Sequence, residues 1–244
     1  MAKGARGGKR SGGSVADNQK VKQAAAAKSM STDFNDFLKM SDDQKADVIS
    51  KMTKQGVPAH LSDTDFQKFI YNIGLNDKPE VVSDNKFNTM SGKTLYRTIN
   101  MVYDKPNDIS YTAVQIAKQI QTGRITRTSD NGGSFYGRGL YFDQSKAGST
   151  LYGKHYGNVK KTSQIKAKLN SKANIIGYNK CWQGVQNEIN SGSKLGKSLK
   201  SLDSDSQTSI YALSKGYNVV VATNGYHCVL NRQALTLSDA IDPI

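Results

Sequence analysis

The sequence predicts an α+β domain preceded by a helical extension and a basic arm. Three observations carry this reading. Apolar residues recur at helical spacing in the stretch before residue 90; after it, helix-like and strand-like patterns alternate. The chain then closes on two apolar runs, YNVVVAT and YHCVLN, separated by Asn224-Gly225, which predicts a hairpin with a tight turn.

Taken in order, residues 1–30 hold Gly, Ser, Ala and seven Lys or Arg against the single acid Asp17. With almost no large apolar side chain, such a segment cannot offset the entropy of ordering, so an unstructured arm is expected there. Its cations suit either a solvated tail or a phosphate-binding arm that meets nucleic acid. Residues 31–90 read as the extension and a linker. Ser41 with Gln44 forms a capping box ahead of Ala46, Ile49 and Met52, and this helix should end near Gly56. Ser62 with Asp65 precedes a second stripe of Phe66, Phe69, Ile70 and Ile73 that stops at Gly74. Asn76 to Gly92, polar and interrupted by Pro79, is expected to be a linking loop.

The main domain, 91–244, opens with a strand at Thr94 to Asn100 and a helix between Ser110 and Gly123 carried by Ala113, Ile116, Ala117 and Ile120. A glycine-rich loop follows from Ser129 to Tyr136. Beyond it come a short strand at Gly139 to Phe142, a helix from Ser145 to Tyr152, and NVKKTSQIKAKLN, whose alternation suggests an edge or curved strand. KANIIGY adds a strand or turn, a polar helical stretch follows, and SQTSIYALSKG makes a helix stopped by Gly216.

Net charge is +14, an excess that favours polyanionic surroundings such as nucleic acid or a nucleotide. Cys181 and Cys228 are too few for a disulfide framework, and with His60, His155 and His227 they show no metal-ligand spacing, so no structural zinc is expected. The first residues lack the apolar core of a secretory signal and no long apolar run occurs, so neither export nor membrane insertion is expected.

The segment GRGLYFDQSKAGSTLYG, Gly137 to Gly153, concentrates the chemistry. Gly139-Leu140-Tyr141-Phe142 is followed by Ser149 seven positions after Phe142 and by Tyr152 ten positions after it. Singly, the tyrosines could be core aromatics and the serine a bystander; together the four spaced features form a motif. The segment resembles the signature of the ADP-ribosyltransferase superfamily, in particular its poly(ADP-ribose) polymerase-like branch. The resemblance covers about 150 residues. It implies that NAD binds with its nicotinamide between Tyr141 and Tyr152, each stack contributing about 1–3 kcal/mol, with the carboxamide on Ser149 and Gly139 in the cofactor-binding set.

Upstream, TLYRTIN places Arg97 inside a short apolar strand, where a charge is costly unless it faces a cleft or a partner. The superfamily carries its first motif residue on such a strand, His in one branch and Arg in the toxin-like branch. The resemblance therefore implies that Arg97, with Thr98 beside it, grips NAD phosphate or organises the ribose site; its charge-assisted bonds are worth about 1.5–3 kcal/mol each. An Arg at an exposed strand edge is the plainer alternative. Arg124, Arg127 or Arg138 could meet phosphate beneath the glycine-rich loop. Trp182 reads as packing.

GYHCVLNRQAL is similar to the family's catalytic closing strand, which opens with a Glu. Here that position is Tyr226, which offers a hydrogen bond and no charge at neutral pH. Gln186-Asn187-Glu188 has the Gln-x-Glu form of the toxin-like branch, making Glu188 a rival acid, although it lies well before the closing strands and also suits a solvated helix face.

The resemblance implies two small, twisted, mainly antiparallel sheets packed face to face around an NAD cleft. It implies mono-ADP-ribosyl transfer to a macromolecular acceptor, protein or nucleic acid, with NAD as substrate. A catalytically inactive NAD or ADP-ribose binder, favoured by Tyr226, and a nucleic-acid-associated phage structural or cargo protein are the alternatives. Host cytoplasm, or a virion if the chain is phage-encoded, is the expected location.

Overall fold

The computed structural model describes residues 34–54, 78–104, 109–124, 136–156 and 162–244. The basic arm, the helix expected at Phe66 to Ile73, Arg127 and most of the glycine-rich loop lie outside the described residues, as does the side chain of Tyr152. Residues Thr32–Ile244 form one compact α+β unit.

Two helices open it, α1 (Phe34–Lys39) and α2 (Asp42–Lys54). The expected capping box is present: Ser41 N–H donates to Gln44 Oε1 at 2.9 Å and Gln44 N–H to Ser41 Oγ at 3.2 Å. Phe37, Ala46 and Ile49 are buried in one cluster with Leu195, Leu199 and Leu213, so the extension is part of the core. The stretch expected to be a linking loop contains β1 (Glu80–Val82) and α3 (Asp84–Thr89), with Ser83 capping the helix. Both were hidden because they are short, because α3 is polar, and because they fold against partners distant in sequence.

The remaining elements are β2 (Leu95–Ile99), β3 (Val102–Asp104), β4 (Ile109–Tyr111), α4 (Ala113–Gln121), β5 (Leu140–Phe142), α5 (Lys146–Tyr156), β6 (Ser163–Leu169), β7 (Ile175–Gly177), α6 (Tyr178–Asn190), α7 (Lys194–Lys200), α8 (Ser204–Ser214), β8 (Val219–Val221), β9 (His227–Val229) and β10 (Leu235–Pro243). They form a four-stranded sheet β1-β10-β6-β2, a second four-stranded sheet β5-β9-β8-β7, and the β3-β4 ribbon. Pairing is antiparallel except for β1 with β10 and β7 with β8.

The strand expected to be an edge or a curved one, β6, is interior, flanked by β10 and β2. Helix α3 covers its lysines: Lys168 Nζ donates to the Phe87 carbonyl at 3.0 Å and Lys166 pairs with Asp84 at 2.5 Å. Strand β10, absent from the sequence reading, carries buried Thr236 and Ser238, whose hydroxyls donate to Glu80 at 2.8 Å and Asp84 at 2.5 Å.

The closing hairpin is present, with Val220 opposite Cys228. Its turn is one residue longer than expected: Ala222 N–H donates to the Tyr226 carbonyl at 2.9 Å around Thr223, Asn224 and Gly225, and Gly225 takes φ +91°. This is the three-residue loop in which glycine supplies the left-handed position.

Period-2 alternation divides the strands between two cores. Leu95, Ile99, Leu140, Phe142, Ile165, Val229 and Leu237 join α4's buried Ile116 and Ile120 in a core shared by the two sheets. Ile176, Val220, Cys228 and Leu230 belong to the other core, formed with α1, α2, α6, α7 and α8.

The sheets are also tied edge to edge. Tyr96 N–H donates to the Asp143 carbonyl at 2.7 Å and Asp143 N–H to the Tyr96 carbonyl at 2.8 Å, joining β2 to the end of β5. That junction positions the residues singled out above.

Candidate functional site

On β2, Leu95 and Ile99 enter the shared core, which leaves Tyr96 and Thr98 on the opposite face. Thr98 meets α5 there. Its N–H donates to Ser149 Oγ at 2.8 Å, the two hydroxyls lie 3.0 Å apart, and Gln164 Nε2 donates to Thr98 Oγ1 at 3.3 Å. Ser149 is buried and sits on the first turn of α5, where its N–H donates to the Ser145 carbonyl at 3.0 Å. Two segments about fifty residues apart in sequence thus converge on one backbone amide and two hydroxyls that bond one another.

Arg97 has the parity of Leu95 and Ile99. Its Nη1 donates to the Tyr141 carbonyl at 2.9 Å, a second tie between the sheets. Arg232, 2% exposed, donates from Nη1 to the Arg124 carbonyl at 2.6 Å. Burial, and next the Arg97 charge, pushes the Arg232 guanidinium down to about 10. Two cations therefore act on each other near the junction, a field that attracts anions.

Tyr141 turns the other way from Leu140 and Phe142. Its ring packs on the helical core, its hydroxyl donates to the Gly137 carbonyl at 2.5 Å and accepts from Tyr136 N–H at 3.1 Å, and burial holds the phenol well above its ordinary range. Its hydroxyl thus anchors the turn that leads into β5. Gly139 has a backbone reason to be glycine: a Cβ there would lie 2.6 Å from the Val229 carbonyl oxygen of β9. Tyr152 lies on α5, one turn after Ser149.

Tyr226 follows the hairpin turn; burial first, then the nearby Asp143 carboxylate, raises its phenol above the usual value. Beside it, Asn224 Nδ2 donates to the Tyr136 hydroxyl at 3.0 Å, and Tyr136 stands edge-on to Tyr178 with centroids 5.1 Å apart.

Glu188 belongs to a different place. On α6 it accepts from Ser193 Oγ at 2.6 Å and pairs with Lys215 at 3.4 Å, and Lys215 also reaches Asp42 at 3.3 Å. These contacts fasten α2, α6 and the end of α8 together. Arg138 is held by Asp203 at 3.4 Å and Ser206 at 3.2 Å, at the start of α8. Trp182 is half-buried on α6. Cys181 and Cys228 are buried free thiols, and burial pushes Cys181 up to about 12, which makes it a poor nucleophile.

Asp143 and Tyr136 were missed in sequence. The signal for Asp143 was its place directly after Gly139-Leu140-Tyr141-Phe142, where the strand ends and the helix begins; Tyr136 had none beyond its nearness to the motif.

His227 supplies a pH test. It is 6% exposed, with Nδ1 2.9 Å from the Gly225 carbonyl, and burial holds its pKa below the usual value. A depressed histidine contributes stability that is present above its unfolded pKa of about 6.5 and lost as pH falls through the lower folded value. Thermal unfolding should therefore shift to lower temperature between about pH 7.5 and 5, and His227→Gln should flatten that slope. A slope unchanged by the substitution assigns the titration elsewhere.

Comparison with protein-family models, with curated proteins and with solved structures finds no match. The molecule defines an α+β fold of two small mixed sheets. Among the described residues, no three His, Cys, Asp or Glu side chains come together as metal ligands, and no helix is long and apolar enough to cross a membrane.

Proposed function

We propose that this chain is an NAD-dependent mono-ADP-ribosyltransferase acting on a macromolecular acceptor, with NAD bound at the junction of β2, β5 and α5. The observation that carries the reading is the contact of Thr98 with Ser149, whose amide-to-hydroxyl bond is 2.8 Å. Thr98, from the strand of the first motif, and Ser149, from the second, belong to the two parts of the family resemblance and meet at one point, while Arg97 lies on the opposite face of β2.

The chain's own groups suit the reaction. Thr98 and Ser149 would hold the nicotinamide carboxamide in plane, while Arg97, fixed on the Tyr141 carbonyl from the opposite face of β2, adds positive charge to the field around the site. NAD supplies an electrophilic anomeric carbon with nicotinamide as leaving group, so the protein's task is to orient that bond and stabilise developing charge.

A second reading, an NAD or ADP-ribose binder without turnover, is favoured by Tyr226 in place of the family's Glu. Incubating the full chain with NAD, and measuring free nicotinamide by chromatography and labelled ADP-ribose on candidate acceptors, separates the two. Nicotinamide release with transfer is expected; binding without release establishes the second reading, and no binding removes both.

A further inference from the structure

On the face of the β1-β10-β6-β2 sheet turned away from the shared core, polar side chains are paired one by one. Lys166 meets Asp84, Lys168 the Phe87 carbonyl, Thr236 Glu80 and Ser238 Asp84. Gln164 departs from that pattern. It stands on β6 opposite Thr98 of β2, with Asp242 of β10 on its other side, and it is 0% exposed. Its Nε2 donates to Thr98 Oγ1 at 3.3 Å, whereas its Oε1, also buried, has no hydrogen-bond partner among the described residues. The Asp242 carboxylate is itself an acceptor and does not supply the missing donor. A buried amide oxygen without a donor is unfavourable, and a folded protein that keeps one calls for a partner from outside the chain. The neighbouring hydroxyls hold the matching group. Thr98 N–H donates to Ser149 Oγ, and the two hydroxyls, 3.0 Å apart, share one hydrogen bond. Two hydroxyls carry two protons and that bond uses one, so the other is left to donate outward, from Ser149 if Thr98 is the inner donor and from Thr98 if Ser149 is. Either way the cluster ends in one O–H donor and one C=O acceptor.

Resting on the NAD site proposed above, we propose that Gln164 is the residue that selects the amide form of the dinucleotide. Its Oε1 accepts from the N–H of the nicotinamide carboxamide, while the spare Thr98 or Ser149 hydroxyl donates to the carboxamide oxygen. A primary carboxamide carries an acceptor and a donor side by side and satisfies both ends of the cluster. A carboxylate in its place has acceptors only, leaves the Gln164 oxygen without a donor and sets a negative charge against it. The site therefore discriminates NAD from its deamidated form, nicotinic acid adenine dinucleotide, by the same logic by which a buried polar group rejects a ligand that cannot pair with it.

The test measures, by ligand-observed NMR on the full-length chain, the Kd of NAD and of nicotinic acid adenine dinucleotide for wild type and for Gln164→Met, with the melting temperature of each. Wild type should bind NAD about 30-fold or more tightly than the deamidated dinucleotide. Methionine fills a similar volume and removes the acceptor. Gln164→Met should weaken NAD about tenfold and bring the two dinucleotides to within about threefold of each other, with a melting temperature no lower than wild type, because an unpaired buried oxygen is gone. A purely structural Gln164 would change the melting temperature and leave the ratio where it was, which overturns the assignment. Equal wild-type affinities, or a preference for the carboxylate, also overturn it and leave the NAD site standing. Wild type that binds neither dinucleotide removes the site and this inference together. Should Gln164→Met fail to fold, the wild-type ratio decides alone.

Discussion

Arg97→Ala is expected to lower kcat/KM for nicotinamide release by about 100-fold or more, the scale seen when one preorganised cationic donor is removed from a site that stabilises charge. Two consequences of the substitution add. The guanidinium bond of 2.9 Å to the Tyr141 carbonyl is one of the few ties between β2 and β5, so its loss loosens the junction as well as removing a charge. A charged hydrogen bond of this kind contributes about 1.5–3 kcal/mol to stability, and urea unfolding should report a loss of that order. Arg97→Lys keeps the charge and loses the planar fork, so it should recover part of NAD binding and little of the rate. Arg97→Ala turning over at the wild-type rate would reduce Arg97 to a strand-edge residue.

Phe142→Ala should have the largest effect on stability. Phe142 is 1% exposed and belongs to the core shared by the two sheets, one residue before the Asp143 pairing with Tyr96. Truncating a buried phenylalanine costs about 3–5 kcal/mol through lost transfer energy and the cavity left behind. The urea midpoint should fall with little change in slope. Because Phe142 pins the end of β5 where the sheets join, nicotinamide release should fall under conditions in which the variant is still folded. A loss below about 1 kcal/mol would mean that the junction is held without this core.

What was legible in the sequence was set by local periodicity. The stripe Ala113, Ile116, Ala117 and Ile120 is the buried face of α4, and the Thr112–Gln115 box caps it. The β8-β9 hairpin was readable because Asn224-Gly225 separates two apolar runs. Strand β10 was not, because its polar side chains are buried only when β1 and α3 deliver Glu80 and Asp84, more than 150 residues earlier, to receive Thr236 and Ser238. The same cause hid the interior position of β6, since Lys166 and Lys168 signal solvent until α3 caps them.

The site divides along the same line. Spacing within one segment placed Ser149 on α5 and Tyr141 on β5, but it could not give the direction of the Tyr141 ring, which the alternation with Leu140 and Phe142 sends into the helical core. Glu188 shared the form of an acidic motif, and only the positions of Ser193 and Lys215 identify the network that it serves.

Saturation-transfer NMR on NAD with the full chain tests the central claim most directly. Saturation is expected on the nicotinamide protons, weakened about fivefold in affinity by Ser149→Ala, which removes one hydrogen-bonding hydroxyl, and unchanged by Ser198→Ala, whose hydroxyl donates only to the Lys194 carbonyl of its own helix α7. No saturation with wild type, or equal loss in the two variants, would contradict a nicotinamide site at the Thr98–Ser149 contact.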